Sequence, residues 1–174
     1  MAPLTKEQLQ KEFIEQVMAS QGIIHKVCGM YCDDEEDRRD LFQEILIHLW
    51  KSYPSFRGEA KFSTWMYRVG LNVAIQHFRK SKKKKEDTVL PESFDDIPHI
   101  EADDIPEEEI RLLHKAIGQL NDVEKAIVML YLEEVPDDEI ADIIGISQNY
   151  VRVKMTRIKA KLKKIANPVE DGTK

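Results

Sequence analysis

The net negative charge of this chain is gathered into one stretch, and that decides what the remainder can fold into. Residues 86–109 hold eleven Asp or Glu, no Lys or Arg, and Pro91, Pro98 and Pro106. A stretch so acidic, so often broken by proline and so weakly periodic buries too little apolar surface to offset the entropy of ordering it. It reads as a solvated tether. Residues 1–85 and 110–166 are therefore expected to fold as two small domains, with a tail over 167–174. The net charge of −6 conceals this division: the segments before, within and after the tether carry +4, −11 and +1. Neither half is itself acidic. An apolar fraction of 42%, a charged fraction of 33% and only seven glycines favour helices, so the expected fold class is all-α. No apolar run approaches membrane length and no signal peptide precedes the first charges. A soluble, cytoplasmic chain without membrane insertion is expected.

In the first half, Thr5 with Gln8 three residues on makes a capping box. Leu9, Phe13, Val17, Ile24 and Val27 keep helical spacing after it. A strong helix is predicted from Arg38 to Ser52, with Leu41, Phe42, Ile45, Leu46, Leu49 and Trp50 as its apolar face. The opposite face carries Asp40, Gln43, Glu44, Ile47 and Lys51. An isoleucine ringed by polar groups is either an ordinary exposed residue or a small docking surface. Pro54 and Gly58 then break the chain into a loop, and Ser63 or Thr64 is placed to cap a helix reaching Lys80.

That loop and helix mix Tyr53, Phe56, Phe62, Trp65, Tyr67 and Phe78 with Arg57, Lys61, Arg68, Arg79 and Lys80, and a basic run over 82–85 follows. Rings offer flat faces to unpaired bases, and cations follow a phosphate backbone. The competing reading is that the rings are core. The helical wheel leaves Arg68, Asn72 and Arg79 in one narrow polar stripe between two apolar sides, which is where an anion would be met. Earlier, His25, Cys28 and Cys32 would share a helix face. No fourth metal ligand accompanies them and small buried thiols are commoner, so no metal is expected.

The second half is predicted to hold four helices, marked by Ile110, Leu113, Ile117 and Leu120, then by Val123, Ile127 and Leu130, then by Ile140, Ala141 and Ile144, then by Val151, Met155, Ile158, Leu162 and Ile165. Pro136 opens the third at its first turn. Gly145 is the turn and Ser147 the N-cap before the fourth, which is a helix-turn-helix pattern. In that motif the second helix enters the major groove. Asn149, Val153, Thr156 and Ala160 lie opposite its apolar stripe, flanked by Arg152 and Arg157. Asn149 suits adenine, Val153 a thymine methyl, and either arginine guanine. Lys154, Lys159, Lys161, Lys163 and Lys164 suit phosphates.

Together these motifs resemble the extracytoplasmic-function RNA polymerase sigma factors of bacteria, over nearly the whole chain. Asp40-Leu41-Phe42-Gln43-Glu44 is similar to the family's DLVQE helix. The resemblance implies that Asp40, Leu41, Gln43, Glu44 and Ile47 dock on core RNA polymerase. Phe56-Arg57-Gly58-Glu59-Ala60, followed by Phe62-Ser63-Thr64-Trp65 and Tyr67-Arg68, is similar to FRGEASFSTWLYRIARN. It implies that this loop and helix recognise and melt the minus-ten promoter element, and the aromatic-basic reading of the same helix adds Asn72, Arg79 and Lys80. The run from Asp138 to Ser147 and on through Lys154 is similar to EEIAEILGIS…TVKSRLSRAR. It implies minus-thirty-five contacts from Ser147, Gln148, Asn149, Tyr150, Arg152, Val153, Lys154, Thr156 and Arg157. The sequence departs from the family pattern at Arg39, where an acid is usual, at Leu71 in place of arginine, and at Val153 and Lys154. The resemblance implies promoter DNA and core polymerase as partners, leaves room for an anti-sigma factor, and calls for no cofactor. A helix-turn-helix regulator acting without polymerase would explain residues 110–165 but not the first half. A nucleic-acid enzyme has no support from a carboxylate cluster, a nucleophile–base pair or a phosphate-binding glycine loop.

Overall fold

Helices account for nearly all of the computed structural model, which describes residues 3–86 and 107–167. The chain divides into two compact units, Met1–Asp96 and Ile97–Lys174. The described residues hold no strand, and the fold is all-α. Most of the acidic stretch over 86–109, and the tail from 168 on, lie outside the described residues. At its edges the stretch differs from expectation: Glu86 ends one helix and Glu107–Glu109 begin the next. Three acids in a first turn are favoured by the positive end of the helix dipole.

In the first unit, α1 (Lys6–Ala19) starts at the expected box: Gln8 N–H donates to Thr5 Oγ1 at 3.3 Å and Thr5 N–H to Gln8 Oε1 at 3.0 Å. The spacing from Leu9 to Val27 is carried by two helices. Ser20 has φ −121° and ψ 14°, outside helical geometry, and α2 (Gln21–Tyr31) starts afresh after it. Helix α3 (Glu35–Ser52) begins three residues before the predicted Arg38 because Asp34 caps it, accepting from Asp37 N–H at 3.1 Å. Helix α4 (Phe62–Glu86) runs on through the basic stretch and packs against α2 and α3. The core between them holds Ile24, Val27, Leu41, Ile45, Leu49, Met66 and Leu71. Gly70 of α4 lies against Ile45 and Val27, and a Cβ there would meet their side chains at an ordinary contact distance of 3.8 Å.

In the second unit, α5 (Glu107–Gly118), α6 (Asp122–Leu132), α7 (Asp137–Ile144) and α8 (Gln148–Ala166) enclose Leu120, Ile127, Leu130, Ile140, Val151 and Ile158. Leu113, expected in this core, is 50% exposed, and Ala116 is buried in its place. On α7 the buried residues are Ile140, Ala141 and Ile143, with Ile144 only half-buried. Pro136 is the N-cap of α7 rather than a residue of its first turn. Gly145 ends α7 at φ 82°, a left-handed conformation that glycine adopts without Cβ strain. The Gly145 and Ile146 N–H groups both donate to the Ala141 carbonyl, at 2.8 and 3.0 Å, which turns the chain sharply into α8.

Candidate nucleic-acid interface

The loop between α3 and α4 is built on a stack of rings. Tyr53, in a 3-10 turn (Tyr53–Ser55), is buried against Phe13, with centroids 5.1 Å apart. Phe56 lies 5.0 Å from Trp65 and 5.6 Å from Phe62, and Phe62 lies 5.3 Å from Trp65. These last three rings are half-buried, so each is both support and surface. Phe62 packs on Trp65 three residues on, and the helix starts at Phe62, one residue before Ser63. The Lys61 carbonyl accepts from Trp65 N–H at 3.1 Å, so neither Ser63 nor Thr64 is the cap. Arg57 and Gly58 are exposed at the loop tip, where Gly58 has φ 72°.

On α4, Arg68, Asn72, Arg79 and Lys80 are exposed. Gln76, which the wheel argument passed over, is exposed too and fills the stripe between Asn72 and Arg79. Its spacing of four and three from them was the available signal. Thr64 and Tyr67 are buried, so they support the surface rather than form it. Ser63 is half-buried.

On α3, Asp40 and Gln43 are exposed, Ile47 is 52% exposed, and Glu44 is partly covered. Leu41 has no exposed surface; it faces the core and cannot meet a partner. Beside Ile47 runs an apolar groove of about 450 Å³ between α1 and α3, lined by Ile14, Met18, Phe42, Leu46 and Trp50. Arg39, the departure from the family pattern, is taken up by Glu35 on its own helix at 2.6 Å. Glu44 Oε2 is 2.9 Å from His77 Nδ1 on α4.

The two thiols and His25 do not form a shared site. The His25 ring lies 4.8 Å from that of Phe42, while Cys28 and Cys32 are buried. Burial, and secondarily the neighbouring Cys32, push the Cys28 thiol up to about 12, so it holds its proton at neutral pH and is a poor nucleophile or metal ligand. Among the described residues no group of three or more His, Cys, Asp or Glu is placed to hold a metal ion.

In the second unit, Ser147 caps α8 by accepting from Tyr150 N–H at 3.1 Å. Gln148, Asn149, Tyr150, Val153, Thr156 and Arg157 are exposed along its leading face. Arg152 Nε is 3.3 Å from Asp137 Oδ2 at the start of α7. Lys154, expected at a phosphate, has its Nζ 5.7 Å from the centroid of the Tyr150 ring. Its side chain is mostly covered, and its Nζ lies 3.9 Å from Glu124 Oε1, which turns it inward. Lys161 approaches the other oxygen of the same carboxylate at 3.4 Å, and Lys159 donates to the Tyr131 hydroxyl at 3.1 Å. Glu124 is only 9% exposed and also completes a capping box with Asn121.

Comparison with known proteins bears on both units. The model for Sigma-70 region 2 matches residues 17–84, and that for Sigma-70 region 4 matches residues 110–162. The ECF RNA polymerase sigma-E factor of Haemophilus influenzae is 28% identical over 158 residues, 83% of this chain and 84% of that protein. The ECF RNA polymerase sigma factor SigW of Bacillus subtilis is 28% identical over 155 residues, 81% of each chain. The chain belongs to the extracytoplasmic-function sigma factors of bacterial RNA polymerase. The fold agrees with a solved relative, the sigma factor RpoE in complex with the anti-sigma factor NepR from Bartonella quintana. Its TM-score is 0.73 at 17% identity, over 89% of this sigma factor and 96% of that chain. A second, CnrH in complex with the cytosolic domain of CnrY, has a TM-score of 0.66 at 18% identity, over 92% and 90% of the two chains. Among the described residues of this sigma factor, no helix is long and apolar enough to cross a membrane.

Proposed function

We propose that this sigma factor divides initiation among three surfaces. Asp40, Gln43, Glu44 and Ile47, with the groove beside Ile47, dock on core polymerase. The Arg57–Gly58 loop, the half-buried rings of Phe56, Phe62 and Trp65, and the stripe from Arg68 to Lys80 take hold of the melted minus-ten strand. The leading face of α8, from Gln148 to Arg157, reads the minus-thirty-five duplex. The chain acts in the cytoplasm as an initiation factor rather than as an enzyme. The groove is also a fitting seat for an anti-sigma factor, since one solved structure of similar fold carries such a partner. The observation that carries this reading is the juxtaposition on α4 and its loop of half-exposed rings with an exposed polar and cationic stripe. Stacked bases and phosphates of single-stranded DNA require both.

The experiment uses holoenzyme reconstituted with Arg57→Ala, Arg68→Ala or Asn72→Ala and reads promoter opening by permanganate reactivity of unpaired thymines. The variants are expected to bind core polymerase as the parent does and to open the promoter poorly. Normal opening by all three would reject the minus-ten assignment.

A further inference from the structure

Glu44 and His77 are 33 residues apart in sequence and meet across the α3–α4 packing seam, Nδ1 to Oε2 at 2.9 Å. The imidazole is 22% exposed and the carboxylate 38%. Around them the seam is apolar: Leu41 and Ile45 on α3, and Val73 and Ala74 on α4, are buried. A polar contact flanked by such neighbours is better protected from water than an ion pair on an open surface. It holds one carboxylate oxygen and leaves Oε1 for another partner. Glu44 sits between Asp40 and Ile47 on the proposed docking face, and His77 sits next to Gln76 on the proposed DNA stripe.

We propose that His77 is a positioning residue for polymerase docking. By accepting its hydrogen bond, Glu44 is held in one rotamer before the partner arrives, so a cationic or amide group on the polymerase meets an acid already ordered. Pre-ordering of this kind raises affinity without adding a contact. The same bond ties the docking acid to the helix that carries the DNA-facing stripe, so the seating of α4 bears on the geometry of Glu44. The proposal rests on the docking reading of α3, and the test separates the two.

Binding to core RNA polymerase is titrated for Glu44→Ala, His77→Leu, His77→Asn and the Glu44→Ala/His77→Leu pair, with thermal unfolding of each as control. Asparagine keeps a donor near the place of Nδ1; leucine keeps bulk alone. Glu44→Ala and His77→Leu should each weaken binding about five- to tenfold, the scale of one hydrogen bond. His77→Asn should stay within about twofold of the parent, and the double variant within about twofold of Glu44→Ala. If Glu44→Ala binds normally, the docking role of that acid fails. If Glu44→Ala is weak but His77→Leu is not, or if the double variant loses the product of the single effects, positioning by His77 is overturned. A mere folding defect in His77→Leu would weaken binding in the Glu44→Ala background too, and the double variant reads that directly.

Discussion

Helix α4 in the first unit is gripped from two sides by apolar groups of α2 and α3, whereas α8 in the second lies on a core that contains charge. Among the described residues of the first unit, no buried side chain is charged. The second buries Glu124 and Lys125. Glu124 ties down Lys154 and Lys161 from beneath the recognition helix, and Asp137 holds Arg152 from the side. Oil locates the first helix, and an acid helps locate the second. A basic helix packed over a buried carboxylate spends some of its cations on its own fold. This is why a row of lysines on a wheel overstates the charge offered to DNA.

The largest expected effect tests the apolar side of this contrast. Ile45 has no exposed surface and faces Gly70 of α4. Ile45→Ala should cost about 2–5 kcal/mol in urea unfolding, the range for an aliphatic side chain deleted from a close-packed core. A loss under about 1 kcal/mol would mean that α4 is held by something other than packing. Next comes Glu124→Ala, which removes the reciprocal half of the Asn121 capping box and the acceptor for two lysines. It should destabilise by about 2 kcal/mol, and Glu124→Gln, which keeps the cap, by less. Equal losses in the two would show that the cap is not what matters.

Ile47→Asp should weaken core-polymerase binding by about 1–3 kcal/mol, the scale of an interface anchor. Its melting temperature should not move, because Ile47 is 52% exposed in the free chain. Undiminished binding in a pull-down would reject the α3 docking face. Least visible at ordinary pH is the buried neutral thiol. Cys28 holds its proton from the unfolded value of 9.0 up to about 12 when folded. Its contribution to stability is therefore complete below about pH 9 and drains away as pH rises from about 9 to about 12, where the unfolded chain sheds the proton first. Cys28→Ala should unfold along a flatter curve over that window; identical slopes would mean that the thiol is open to solvent.

The two-unit, all-α organisation and the helix-turn-helix were legible because they rest on local signals: a proline-broken acidic run, apolar periodicity, Gly145, and side-chain caps at Thr5 and Ser147. The exposure of Ile47 was legible from its polar ring of neighbours. Other features depended on tertiary contact. The break at Ser20 carries no proline or glycine, so periodicity ran straight through it. Leu41 was on the apolar face by periodicity and on the docking surface by the motif, and its burial agrees with the periodicity. The fates of Lys154 and Lys161 hinge on Glu124, 30 and 37 residues away, and no helical wheel contains it. His77 was invisible for the same reason, its partner being on another helix.

Because Phe62–Glu86 is one uninterrupted helix of 25 residues, its ring-bearing end and its cation-bearing end are held at a fixed angle to one another. The rod is roughly 37 Å long, about one turn of duplex DNA. Each added residue turns everything beyond it by about 100°. One residue inserted after Asn72 would swing Arg79 out of line with Arg68, and Lys80 out of line with Phe62, and a rod has no slack to absorb the slip. Length change here is tolerable only in near-whole turns, about seven residues at a time, so the gauge between the rings and the cations is set by helical pitch.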